Sequence, residues 1–299
     1  MEFARARDAP FEREVALDQD SPELPRTVHA SRADSRRGVA CHHTGCYPVN
    51  LLMSETIEIT FDFRSDTPPG RDPDTFSPTL RNYHRLLWSK PLPSGAPFDL
   101  DVAVRPPYYL HHHSDLGEFW LSSDAVVATF SRAGDLADVI AQVPPEKTKE
   151  FKRLGYTIGG MMVFPANRID GRMTINGARG FHPRIRDRFD LTVECIRRHY
   201  ANRSSPLSKP LAGYADFFRL FGDFAGYVDF FHLQDLVDED TSMVRFFTPF
   251  EDFTAPFSPL PRPLDAYIAY REAAMKFIGA RNHRIAGLMN TPARESLGT

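Results

Sequence analysis

Between Thr174 and Asp190 the chain reads TINGARGFHPRIRDRFD, which holds four arginines, two aspartates and a histidine. Guanidinium groups at that density suit carboxylate or phosphate oxygens, because each presents a planar fork of donors. The spacing predicts a helix from Pro183, so Arg179, His182, Arg184 and Arg188 gather before and within its first turns. A helix N-terminus is already positive, and an exposed cation there costs about 0.3–1 kcal/mol unless something negative sits among the group. Asp187 can neutralise one of these cations. One way to supply the remaining charge is an anionic ligand of phosphate or nucleotide type, NAD-like or a nucleic-acid phosphate, with Gly177 and Gly180 letting the backbone come close. The other is internal ion pairing with acids such as Asp62 or Asp229, which makes the chain a non-catalytic interaction protein. Guanidiniums open to a cleft favour the first reading, and guanidiniums buried against carboxylates favour the second.

Three further groups could do chemistry. The segment FRSDTPPGRDPDTFSP, residues 63–78, offers Asp66, Asp72 and Asp74 as carboxylates for acid–base work or a hard cation, although Asx-turns around Pro and Gly explain the same residues. His111 and His113 in YLHHHSDLGEF share one face of a strand while His112 points away. With Asp115 or Glu118 they form a partial metal set that lacks a separated third ligand. Cys41 and Cys46 in CHHTGC crowd two thiols and two imidazoles together, with no second pair at finger-like spacing. His84 reads as a packed histidine and Cys195 as a small buried hydrophobe. The acidic run DLVDED, Asp235 to Asp240, reads as a turn, with a cation site as its minor alternative. No P-loop, dinucleotide fingerprint, G-x-S-x-G, H-E-x-x-H or kinase motif occurs, so no cofactor is indicated.

The elements that must hold these residues fall into two halves. Ile57, Ile59, Phe61 and Phe63 alternate as in a strand. YYLHHHSDLGEFWLSSDAVVATF holds at least two strands, and residues 159–181 read as a hairpin with Asp-Gly and Asn-Gly turns. Ser77 and Pro78 start a helix that presents Leu80, Tyr83 and Leu87 on one face. Beyond residue 180 the pattern turns helical, over 184–200, 213–237 and 264–282. In the first of these, Ile185, Phe189, Val193, Ile196 and Tyr200 form the apolar stripe. Arg186, Asp187, Asp190, Glu194, Arg197 and Arg198 form the opposite face, which reads as solvated and self-neutralising through Arg186–Asp190 and Glu194–Arg198. Strands first and helices later give an α+β fold, with antiparallel hairpins packed against a helical C-terminal half.

Residues 1–52 carry seven Arg, no Lys and no persistent period; they read as a disordered tail or an extended open reading frame before a single domain over 53–299. A net charge of -3 gives no general field for capturing nucleic acid. No apolar run suits a membrane span, and the 24 Phe promise a large aromatic core. Three cysteines make no disulfide framework, which points to a reducing, cytoplasmic compartment.

The segments TFDFRSDTPPG, LLWSKPLP, TINGARGF, DRFDLTVECIRRHY and GYVDFFHLQDLV together resemble an uncharacterised family of bacterial proteins with no assigned function, over about 57–285. The resemblance implies a bacterial, intracellular, single-domain protein and carries no catalytic residue.

Overall fold

A computed structural model describes residues 56–289 apart from 102–109, 128–129, 131–135, 168, 170 and 172. The tail reading for 1–52, the Cys41–Cys46 cluster and the Asp-Gly part of the hairpin therefore lie outside the described residues. The architecture is α+β. Asp72 caps α1 (Pro73–Phe76) and Ser77 caps α2 (Pro78–Trp88), each with proline in the first turn. A minimal ladder joins β1 (Lys90–Pro91) to β2 (Pro97–Phe98). The main sheet is antiparallel in the order β3 (Leu110–Ser114), β4 (Gly117–Ala125), β5 (Met161–Pro165). Between β4 and β5 lie α3 (Ala137–Ile140), α4 (Pro145–Gly155) and a 3-10 turn, Ile158–Gly160. The helical half follows: α5 (Ile175–Phe181), α6 (Phe189–Tyr200), α7 (Ser208–Gly213), α8 (Ala215–Arg219), α9 (Phe224–Phe230) and α10 (Leu264–Met289). Among the described residues no helix is long and apolar enough to cross a membrane.

β4 alternates and β5 does not. Every residue of β5 is buried, so its MMVFP run reads as continuous apolar sequence, as a strand covered on both faces must. In β4, Phe119, Leu121 and Ser123 are buried, while Trp120, Ser122 and Asp124 on the other face are partly accessible. The aromatic core expected from the phenylalanine count is present: Phe221 lies 4.9 Å from Phe230 and 5.1 Å from Phe231, and Trp88 packs 5.2 Å from Phe231.

The last helix closes this core through polar contacts. Arg281, fully buried, donates to the carbonyls of Gly159 (3.0 Å), Met161 (2.7 Å) and Phe231 (3.0 Å). Asn282 donates to Thr157 Oγ1 (2.8 Å) and accepts from the Gly159 amide (2.7 Å). The approach is so close that a Cβ at residue 159 would stand 2.6 Å from the Ile278 carbonyl oxygen, so only glycine fits.

Four sequence expectations change. Residues 57–63 are not a strand: the chain turns at Glu58–Phe61 and enters a 3-10 helix at Phe63–Ser65. Their alternating burial arises because Phe61 and Phe63 pack on Tyr83 of α2. The Asn-Gly pair is not a hairpin turn. Thr174 caps α5 by accepting from the Gly177 amide (3.2 Å), placing Asn176 and Gly177 in a helical first turn. No helix starts at Pro183, because Arg186 and Asp187 hold φ of 48° and 65°, and α6 begins only at Phe189. Finally, the charged face of α6 is not solvated: Asp190, Glu194 and Arg198 are all buried.

Gly159→Ala should lower stability by about 1–3 kcal/mol, since α10 must move away from a backbone carbonyl that cannot yield. Gly279→Ala on the same helix, where a Cβ meets nothing within 4 Å, should instead raise it by roughly 0.5–1 kcal/mol. Urea midpoints of the two variants against the parent check both signs.

Candidate functional site

The arginines of the 174–190 stretch diverge. Arg179, on α5, points onto the end of β4 and is completely buried. Its Nη1 donates to Asp124 Oδ2 (2.5 Å) and lies 3.1 Å from Asp187 Oδ1, its Nη2 donates to the Asp187 carbonyl (2.8 Å), and its Nε reaches Thr192 Oγ1 (3.3 Å). Burial works against its charge, and Asp187 and Asp124 outweigh that and hold its pKa above the ordinary value. Arg188 pairs with Asp190 in a fork, Nε to Oδ1 at 3.1 Å and Nη2 to Oδ2 at 2.5 Å, with both side chains buried. Arg184 turns away to the carbonyls of Phe253 and Ala255 and lies over the Phe257 ring at 4.9 Å. His182 is half-buried and accepts from the Arg184 amide (3.1 Å); burial and then Arg184 lower its pKa. The bridging acids are Asp124, Asp187 and Asp190. Asp62 instead holds Arg64, and Asp229 accepts from Gln234.

Within the 63–78 loop, Asp66 and Asp72 serve as caps. Asp66 accepts from Ser77 Oγ (2.6 Å) and the Thr79 amide (3.0 Å), and Asp72 accepts from the Asp74 amide (3.1 Å). Asp74 does something else. Packing of α1 on β4 brings it into the electrostatic neighbourhood of Asp124, Arg179 and Asp187. Its Oδ1 is buried without a hydrogen-bond partner. Burial, followed by Asp124 and Asp72, raises its pKa well above the carboxylate range. Tyr156 is pushed up to about 12, by burial and then by Asp74. Asn176, one helical turn before Arg179, donates to Ser122 Oγ and the Ser123 carbonyl at 3.4 Å each, and its own Oδ1 is buried without a partner. The constellation is therefore three carboxyls around one guanidinium, with Asp74 the member suited to keep its proton. Chemically it can donate that proton or accept a hydrogen bond beside anionic Asp124. Among the described residues no group of three His, Cys, Asp or Glu is placed to hold a metal ion.

Asp187, named from the sequence as able to neutralise one of these arginines, does pair with Arg179. Asp124 escaped the sequence reading, and Asp74 was weighed only as a loop carboxylate. The available signal was an aspartate ending the LSSDA strand on the accessible face, but nothing local ties it to residue 179.

The histidines behave as strand residues. His111 and His113 do share a face, opposite Trp120 and Glu118. His111 Nε2 lies 2.8 Å from Glu118 Oε1, and His113 is exposed. On the opposite face, His84 Nε2 lies 3.0 Å from Ser123 Oγ, a spacing that suggests a nucleophile and its base. The tautomer forbids it. Trp88 Nε1 donates to His84 Nδ1 (3.0 Å), so Nε2 carries the proton and donates to the serine. Burial pulls the His84 pKa down to about 3. His232, which sits 3.0 Å from Lys90 Nζ, falls to about 3 by burial and then by Lys90. Cys195 is a buried hydrophobe whose thiol burial pushes up to about 12.

Asp74→Asn removes an ionisation that burial opposes, so at pH 7 it should stabilise the fold by on the order of 1 kcal/mol. Because the folded-state pKa is raised, the wild-type penalty grows as pH rises from the unfolded value and vanishes below it. The two melting curves should therefore converge near pH 4. The histidines act oppositely. Their depressed folded pKa values make their contribution complete above the unfolded value of 6.5 and progressively lost as pH falls toward about 3. That loss amounts to about 2 kcal/mol each by pH 5. His84→Gln should flatten the acid limb of a stability–pH profile by one histidine's share.

A family model described as a family of unknown function, DUF6994, matches residues 57–285, and the chain belongs to that family. No curated protein and no solved structure matches it.

Proposed function

We propose that this member of the DUF6994 family is a non-catalytic interaction protein, bacterial and cytoplasmic, whose arginines are scaffold. The observation that carries this is the way each of the three guanidiniums is anchored inside the fold, with only Arg184 Nε and Arg188 Nη1 left buried without a partner. Arg179 is tied to Asp124 and Asp187, Arg188 to Asp190, and Arg184 to two carbonyls and a ring. They anchor three different segments rather than converge, and α5 is a single short helix whose first-turn amide is already taken by Thr174. An anion at Arg179 would have to displace two carboxylates from a fully buried guanidinium.

A second reading, an acid–base enzyme, is favoured by one observation, the unpartnered buried oxygen of Asp74 beside Asp124. In that reading Asp74 donates the proton and Asp124 stays ionised.

Thermal unfolding of the full chain against nucleotides, NAD and short oligonucleotides separates scaffold from ligand site. The scaffold reading expects no midpoint shift, and it expects Arg179→Ala to cost about 3 kcal/mol or more. A ligand at a hundred times its dissociation constant adds about 2.7 kcal/mol. A shift of that size that disappears in a folded Arg179→Ala or Arg184→Ala variant would sink the scaffold reading.

A further inference from the structure

One buried arginine is not consumed. Arg271, on α10, is 6% exposed, yet among the described residues the one acceptor it reaches is the Lys147 carbonyl, through Nη2 at 2.5 Å. Its Nε is buried without a hydrogen-bond partner, and among the described residues no carboxylate forms an ion pair with it. The guanidinium lies over the rings of Phe151 (5.3 Å) and Tyr267 (6.0 Å). The other buried arginines differ in what neutralises or caps them: Arg179, Arg188 and Arg198 each hold an acid, although Arg188 Nη1 is also buried without a partner, and Arg281 has carbonyls for all three nitrogens. A cation left this way is costly unless something else completes it.

What could complete it lies beside it. Arg271 lines a cavity of about 290 Å³ between α4 and α10, with Val143, Pro144, Ile268 and Met275 supplying apolar walls. Ile268 remains 39% exposed, an apolar side chain left in solvent at this spot. Of the charges around it, Lys147 and Glu150 neutralise each other at 3.3 Å. Glu272 follows Arg271 directly on the helix, lies at the rim of the same cavity and is exposed to solvent. The cavity therefore combines a guanidinium that lacks a paired acid among the described residues with a hydrocarbon-lined space near the bottom of the size range of ligand pockets, roughly 300–1,000 Å³.

We propose that this cavity binds a small aliphatic monocarboxylate, its carboxylate on Arg271 and its hydrocarbon chain against Val143, Ile268 and Met275. A phosphate suits it poorly, because a near-dianion would meet a single guanidinium, whereas a monocarboxylate matches its one charge. The site is independent of the Arg179 scaffold and stands or falls separately from it.

Calorimetric titration of the full chain with acetate, butyrate and hexanoate tests the proposal, with hexylamine and inorganic phosphate as controls. Hexanoate should bind in the millimolar range or tighter. Affinity should rise roughly fourfold per added methylene, the factor given by about 0.8 kcal/mol per buried CH₂. Hexylamine and phosphate should give no saturable heat. Arg271→Met should weaken hexanoate by at least about tenfold, as loss of a charge-assisted bond requires. Because that variant could also disturb α10, Ile268→Glu provides a surface test: it leaves the core intact, puts a negative charge at the mouth, and should weaken hexanoate by about tenfold too. No saturable hexanoate binding by the parent chain, or binding unchanged in Ile268→Glu, overturns the proposal.

Discussion

The Arg281 guanidinium holds the carbonyls of Gly159, Met161 and Phe231 and lies 5.9 Å from the Trp88 ring centre. Burial lowers its pKa to about 10, which still leaves it charged at neutral pH. A cation in that position is tolerable only because each of its nitrogens has an acceptor, and those acceptors belong to three separate parts of the fold. The 3-10 turn, the entry to β5 and the end of α9 are thereby fixed relative to α10. Gly159 makes the same contact possible by having no side chain, and Asn282 ties the neighbouring amide and hydroxyl. The aromatic cluster of Trp88, Phe221, Phe230 and Phe231 then fills the space that this polar frame defines.

Seen from that frame, the other arginines divide by what answers their charge. Arg179 and Arg188 are answered by carboxylates, which locks α5, the 182–188 turn and β4 together and explains why Asp187 can hold a left-handed backbone. Arg184 is answered by carbonyls and a ring. Arg271 has a single carbonyl and the faces of two rings. Density of arginine in sequence says nothing of which acceptors the fold supplies; the distribution of the guanidiniums among carboxylates, carbonyls and rings does.

Much of the fold was legible locally. Ser77 followed by Pro78 announced α2, the alternation around HHH announced β3 and β4, and the apolar spacing after Leu264 announced α10, because caps and periodicity leave short-range traces. The failures were also local signals, but ones overruled from a distance. The Ile57–Phe63 alternation reflects packing on α2 rather than a ladder, and the Asn-Gly pair was captured by the Thr174 cap. Of the candidate site, the arginines and the 63–78 loop were legible as residues, yet their relation was not. Arg179 meets Asp124 across 55 positions, and nothing in either neighbourhood records the other. Asp74 joins that group only through the packing of α1 on β4, which no local pattern records.

The contact between Arg281 and Met161 joins residues 120 apart. A ribosome adding about 5–20 residues per second takes roughly 6–24 s to travel that distance. Throughout that interval the all-apolar strand Met161–Pro165 exists without the helix that covers it and without the cation that its carbonyls await. The nascent sheet is an incomplete object until α10 is made, so this core closes only as that helix is completed, with a long window in which β5 must be kept from other strands.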